Sequence, residues 1–174
     1  MRMLVLGGIR SGKSGWAEAA LARAAGDAPV RYLATGPVPD GDDDWARRVA
    51  AHRDRRPAHW RTRETADVVA ELCRDRHTAT LVDDLGGWLT AALDRRDGWS
   101  GGSVRDEVDA LAEAVAGFAG PLALVSPEVG LTVVPATVAG RRFADELGSL
   151  NQRLAALCDR VVLVVAGQPI EVKG

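Results

Sequence analysis

The eight residues Gly7-Gly8-Ile9-Arg10-Ser11-Gly12-Lys13-Ser14 restrict this chain more than any other stretch. They satisfy the pattern GxxxxGK[ST], and they lie between a short apolar run, Met3–Leu6, and a segment of helical composition, Gly15–Ala25. In that context the glycines let successive backbone N–H groups turn inward around phosphate oxygens, and the following helix adds its positive end. Lys13 is placed to reach the β- and γ-phosphates of a nucleoside triphosphate, and the Ser14 hydroxyl to ligate Mg²⁺. Gly7, Gly8, Ile9, Arg10, Ser11, Gly12, Lys13 and Ser14 are therefore the candidate nucleotide-binding loop, with Lys13 as a candidate catalytic residue and Ser14 as a candidate metal ligand.

The rest of the chain repeats the strand-then-helix order that such a loop requires. Apolar runs without period-two alternation recur at Met3–Leu6, Val30–Ala34, Thr80–Val82, Leu122–Val125 and Val161–Val165, the pattern of strands buried on both faces. Between them lie helical stretches at Gly15–Ala25, Asp42–Arg55, Ala66–Arg74, Trp88–Leu93, Val104–Phe118 and Arg141–Cys158. The fold expected is α/β: a P-loop, RecA-like, three-layer arrangement with a mainly parallel sheet and helices on both faces. Pro169–Val172 adds a last strand whose direction the sequence leaves open, and Asp94–Gly102 reads as a mobile surface loop. With 174 residues, 47% of them hydrophobic, and no long polar linker, residues 1–174 are expected to form one catalytic domain.

Charge and cysteine usage exclude several function classes. Twenty-two basic against 24 acidic residues give a formal charge of −2, which provides no overall basic field for nucleic acid. Cys73 and Cys158 are far apart and form no CxxC or Cys/His cluster, so neither a disulfide framework nor a structural zinc site is expected. The N-terminal apolar run is too short for a signal peptide, and no stretch approaches the ~20 apolar residues of a membrane span. A soluble, cytoplasmic enzyme is the expectation.

Two further constellations carry chemistry. Asp83 closes the Thr80–Val82 run with Asp84 beside it; a carboxylate there can hold Mg²⁺ opposite Ser14, whereas an aspartate just ahead of Gly86–Leu93 suits a helix N-cap. The metal role is assigned to Asp83 and the cap to Asp84. The second is the arginine-dense stretch Arg47–Pro57, which carries His52. It reads either as a solvated face or as a setting that keeps an imidazole neutral and able to attack phosphorus. His59 and His77 read as ordinary surface or packing residues. Trp16 and Trp88 are expected to pack on the sheet, and Trp45 and Trp99 at an edge or interface.

Taken together the motifs resemble the adenosylcobinamide kinase/adenosylcobinamide-phosphate guanylyltransferase family of cobalamin biosynthesis. The resemblance runs over nearly the whole chain: GGIRSGKS at Gly7–Ser14, YLAT at Tyr32–Thr35, HRDRRP at His52–Pro57, WRTRE at Trp60–Glu64, Asp83, EVG at Glu128–Gly130, RRFADELG at Arg141–Gly148, NQ at Asn151-Gln152 and the terminal VVLVVAGQPIEVKG. It implies ATP- or GTP-dependent phosphorylation of adenosylcobinamide, followed by transfer of GMP from GTP to adenosylcobinamide phosphate. His52 falls on the family's guanylylated histidine. Thr35, Gly36, Pro37, Arg53, Asp54, Arg55, Arg56, Glu64 and Asp83 match its nucleotide-contacting stretches. The resemblance also implies Mg²⁺, GTP and ATP as working ligands and a homotrimer. Arg141, Asp145, Asn151 and Gln152 match a helical motif suited to packing or a subunit boundary, and no catalytic role is assigned to them.

The chain departs from the family where Pro127 and Thr132 replace an asparagine and a glycine around Glu128–Gly130, and in the stretch DDLGGWLTA from Asp83, where the family usually has a cysteine after the acid and an asparagine near Ala91. A differently shaped loop after Pro127 is expected, because proline lacks a backbone donor and threonine disfavours positive φ. Two other readings are a P-loop small-molecule kinase that forms no histidine adduct, and a nucleotide-binding regulatory module.

Overall fold

The computed structural model describes residues 1–36, 57 and 59–174. Strands β1 (Arg2–Gly7), β2 (Val30–Ala34), β3 (Trp60–Glu64), β4 (Ala79–Asp83), β5 (Leu122–Pro127), β6 (Arg160–Val165) and β7 (Gln168–Lys173) form one sheet in the order β3-β2-β4-β5-β1-β6-β7. Every neighbouring pair is parallel except β6 and β7, which run antiparallel, so the direction left open for the tail is fixed by a hairpin. One strand, β5, separates the P-loop strand β1 from the aspartate-bearing strand β4.

Alternation along the central strands divides the interior in two. Met3, Val5, Tyr32, Leu81, Ala123, Val125, Val162 and Val164 face helix α1 (Lys13–Ala25), which contributes Ala17, Ala20 and Leu21. Leu4, Leu33, Val82, Leu122, Leu124 and Val161 face the other way, against helices α2 (Val68–Arg74), α3 (Leu85–Arg95), α4 (Arg105–Ala116) and α5 (Val138–Leu157). Each fully buried aliphatic side chain contributes about 1.5–3 kcal/mol, so the two layers together hold the central strands from both faces. Helices on both faces of a mainly parallel sheet are the arrangement expected from the sequence.

Local chemistry sets the helix limits. Asp67 caps α2 by accepting from Ala70 N at 3.1 Å, and Thr137 caps α5 by accepting from Gly140 N at 3.0 Å. Hence α2 starts two residues later than Ala66, and α5 three residues earlier than Arg141. Trp88 is buried in the larger core, Trp16 is half-buried with the Arg160 guanidinium 5.5 Å from its ring centroid, and Trp99 is half-buried at the margin of the larger core.

Two expectations are corrected. Trp60–Glu64, which is not among the apolar runs read as strands, is a strand: among the described residues it pairs with β2 only, and four of its five residues are exposed, so it carries charged side chains instead of an apolar run. Asp94–Gly102 is not a free loop. Asp94 and Arg95 finish α3, Gly98–Ser100 form a short 3₁₀ turn, Trp99 Nε1 donates to Asp94 Oδ1 at 2.6 Å, and Arg142 Nη2 donates to Gly102 O at 2.7 Å. The expected helix Asp42–Arg55, with Trp45, lies outside the described residues. Among the described residues both cysteines are free, and no helix is long and apolar enough to cross a membrane.

Candidate nucleotide site

The loop between β1 and α1 is closed on itself by its own backbone. Ser11 N donates to Gly8 O at 3.2 Å, and Gly7 is tucked so tightly beneath it that a Cβ there would stand 2.4 Å from Ser11 Oγ. Arg10 and Gly12 take positive φ, 57° and 91°, and Ile9 is 90% exposed at the tip. Gly12 is the N-cap of α1, and no side chain caps that helix. A glycine N-cap leaves the helix end open to the loop; Lys13 N makes one long bond, donating to Ser11 Oγ at 3.4 Å, and such a helix end suits an anion. Lys13 Nζ lies across the loop, donating to Gly8 O at 3.3 Å, and Ser14 follows it in the first helical turn.

The neighbouring strand ends bring further groups to the same edge of the sheet. Asp83 ends β4 opposite Ala34 of β2, and its carboxylate accepts a hydrogen bond from the Tyr32 hydroxyl. Asp84 caps α3, its Oδ1 accepting from Gly87 N at 2.8 Å, as the sequence predicts. Burial pushes the Asp84 carboxyl upward from the usual carboxylate range, with help from the Asp83 charge; the Gly87 N–H and the Lys13 charge oppose it. Thr35 is buried and ties β2 to β4 twice, through its N–H to Asp83 O at 3.1 Å and its Oγ1 to Asp84 O at 2.5 Å. Gly87 allows the start of α3 to rest on this corner, since a Cβ there would lie 3.1 Å from both Gly36 Cα and Thr35 Oγ1.

Glu64 ends β3 at the register of Ala34 and is exposed. Four strand spacings of about 4.8 Å separate β1 from β3, so Glu64 stands roughly 19 Å from the P-loop strand. It does not cap α2, because Asp67 does. The structure thus lines up the P-loop, Asp83, Thr35, Gly36 and Glu64 along one edge. Pro37, His52, Arg53, Asp54, Arg55 and Arg56 lie outside the described residues. A cavity of about 220 Å³ at this edge is lined by Thr35, Gly36, Thr65, Thr90 and Asp94 among others.

Pro127 stands in β5 opposite Gly7, and the chain tolerates its missing donor because the next residue continues the contact: Glu128 N donates to Gly7 O at 3.0 Å. Asn151 is a buried packing residue, as its helical motif allows. Its Nδ2 donates to Pro127 O at 3.1 Å, and its Oδ1 accepts from Ser126 Oγ at 2.6 Å. His59 and His77 are exposed. Sequence reasoning missed two contributors. Tyr32 was legible only as part of a strand. The turn Ala166-Gly167 touches the P-loop through Gly167 N, which donates to Ser11 O at 2.7 Å; the signal was a glycine between two apolar runs, a hairpin mark that says nothing of what the turn meets.

A loop of this form between β1 and a helix with no capping side chain, on a mainly parallel sheet with one strand between it and the aspartate, defines a P-loop nucleotide-binding α/β protein. A prototypical ATPase from the type III secretion system of pathogenic bacteria has the same fold, with a TM-score of 0.56 at 14% identity; the likeness covers 93% of this chain and half of that one. The chain belongs to the cobinamide kinase / cobinamide phosphate guanyltransferase family, whose profile matches residues 3–172. It is 45% identical to the bifunctional adenosylcobalamin biosynthesis protein CobP of Pseudomonas aeruginosa, over 100% of this chain and 98% of the relative. To the bifunctional adenosylcobalamin biosynthesis protein CobU of Salmonella typhimurium it is 39% identical, over 99% and 100%. It is thus a kinase and guanylyltransferase of cobalamin biosynthesis, as its motifs imply.

Proposed function

We propose that one nucleotide site, built on Gly7–Ser14, serves both reactions of this bifunctional enzyme: phosphorylation of adenosylcobinamide by ATP or GTP, and transfer of GMP from GTP to adenosylcobinamide phosphate. The observation that carries this reading is the P-loop with Lys13 across its mouth, at the edge where Asp83 and Glu64 end their strands and Thr35 follows β2. In the kinase step the acceptor hydroxyl forms a bond to the γ-phosphorus as the bond to the β–γ bridging oxygen breaks. Lys13 and the loop amides hold the charge that the leaving nucleoside diphosphate gains.

In the second reaction a neutral His52 nitrogen displaces pyrophosphate from the α-phosphorus of GTP. The phosphate of adenosylcobinamide phosphate then attacks that phosphoramidate and frees the imidazole. The role of His52 rests on the resemblance of the stretch His52–Pro57 to the family's guanylylated histidine. Arg53, Asp54, Arg55, Arg56, Pro37, Thr35, Gly36 and Glu64 are assigned to the nucleotide on the same basis.

Ser14 and Asp83 would hold Mg²⁺ through one hydroxyl and one carboxylate, a hard-oxygen pair that fits the ion. When bound, the ion neutralises charge on the phosphate oxygens. We also assign the chain to the cytoplasm, where its two free cysteines stay reduced, and to a homotrimer, which is supported by the family resemblance and by exposed Leu131, Val133, Val134, Ile170 and Val172.

Incubation with α-labelled and γ-labelled GTP, with and without cobinamide, tests the reading. Acid-labile protein-bound α-label together with γ-transfer to cobinamide is the expected result. Transfer of γ-label alone would reduce the enzyme to a kinase without a histidine adduct, and binding without turnover would leave a regulatory module.

A further inference from the structure

The C-terminal hairpin does something its burial does not account for. All six residues of β7 are exposed, so the strand adds little to either core. Yet the hairpin is held at both ends. At its open end Lys173 Nζ donates to Ala155 O at 3.0 Å and Cys158 O at 2.7 Å, capping the last carbonyls of α5, and Arg160 pairs with Glu171 at 3.0 Å. At its closed end Ala166 and Gly167 both take positive φ, 50° and 78°, the two-residue turn that suits the twist of paired strands.

That turn lies against the P-loop because β6 is the neighbour of β1, with Val164 opposite Gly7. Gly167 N donates to Ser11 O at 2.7 Å, and a Cβ on Gly12 would stand 3.2 Å from Gly167 Cα. The bond has a directional consequence. Ser11 C=O and Gly12 N–H belong to one planar trans peptide, in which the two groups point in opposite directions. Fixing the carbonyl toward the hairpin therefore aims the Gly12 N–H away from it.

We propose that the Ala166–Gly167 turn is a positioning element of the nucleotide site: the Gly167 N–H holds the Ser11–Gly12 peptide in the orientation in which the Gly12 N–H donates to a phosphate oxygen. This rests on the reading of Gly7–Ser14 as the nucleotide site. Because binding linkage is reciprocal, a turn that favours the nucleotide is itself held more firmly once the nucleotide is bound.

The test uses the full chain and a non-hydrolysable GTP analogue. Gly167→Val places a β-branched residue at positive φ. Gly101→Val does the same at φ 116°, in a turn formed with Gly98 and where a Cβ meets nothing within 4 Å, and so serves as the control for backbone strain alone. The two variants should lose similar amounts of Tm, whereas only Gly167→Val should raise the analogue Kd, by tenfold or more. In the wild-type chain, amide exchange at Gly167 should slow at least tenfold when the analogue binds, a measurement that needs no variant to fold. Unchanged exchange at Gly167, or wild-type Kd in folded Gly167→Val, overturns the positioning role. Lys13→Ala separates the two claims: if it binds the analogue normally the site reading itself fails, and if it has lost binding while Gly167→Val has not, only the turn's role fails.

Discussion

Tyr32 donates its hydroxyl hydrogen bond to the Asp83 carboxylate from the adjacent strand β2, and does so from a position only 2% exposed. The bond fixes one carboxylate oxygen and so the direction of the other. Tyr32→Phe keeps the ring and removes the donor. It should cost about 1.5–3 kcal/mol where the carboxylate is charged and raise the Mg²⁺ concentration needed for half-maximal kinase activity about tenfold. A Mg²⁺ titration of both proteins checks this, and unchanged Mg²⁺ dependence would remove Asp83 from the metal site.

Gly87→Ala tests the corner where α3 meets β2. The added Cβ would press on the Gly36 backbone at 3.1 Å, and backbone cannot swing aside as a side-chain tip can. A loss of about 1–3 kcal/mol in urea unfolding is expected, with weaker nucleotide binding, because the Thr35–Gly36 corner must shift.

How much of this corner was legible in the sequence follows from the range of each interaction. The P-loop could be read because its glycines, lysine and serine are adjacent in the chain, and Asp84 could be read as a cap because a cap acts over three residues. Asp83 was found as the end of an apolar run, but its bond to Tyr32 joins residues 51 apart, and only the sheet order brings them together. The strand Trp60–Glu64 shows no apolar signature because four of its five residues are exposed. The contact of Gly167 with Ser11 was missed for the reason that hid Tyr32: it spans most of the chain.

Asn151→Ala should destabilise the chain by about 2–3 kcal/mol, since it leaves Pro127 O and Ser126 Oγ without their amide partner in a buried place. Urea unfolding measures the loss. Asn151→Asp, which keeps the acceptor and removes the donor, should also be destabilising, because it places a carboxylate beside Pro127 O.

Cys158 sets an alkaline limit. Burial pushes its thiol up to about 11 from an ordinary value of 9.0. The folded chain therefore keeps the proton more tightly than the unfolded chain. The stabilisation is fully present below pH 9 and is lost as pH rises through 11, to a total of roughly 3 kcal/mol. Unfolding free energies measured from pH 8 to 11 should fall along this course in wild type and more gently in Cys158→Ala. Iodoacetamide should label exposed Cys73 and spare Cys158 in the folded chain.

The central claim is that one nucleotide site serves both reactions, and Lys13→Ala tests it most directly. Removing the ammonium from the mouth of the loop takes away the charge that holds the β- and γ-phosphates, and both reactions depend on their placement. Kinase activity with γ-labelled GTP and formation of the protein-bound α-label should be measured in one preparation of folded Lys13→Ala beside wild type. The account predicts that both fall by about two to three orders of magnitude, equivalent to roughly 3–4 kcal/mol of lost transition-state stabilisation. A wild-type rate for either reaction in that variant would contradict it, because that reaction would then have its nucleotide site elsewhere.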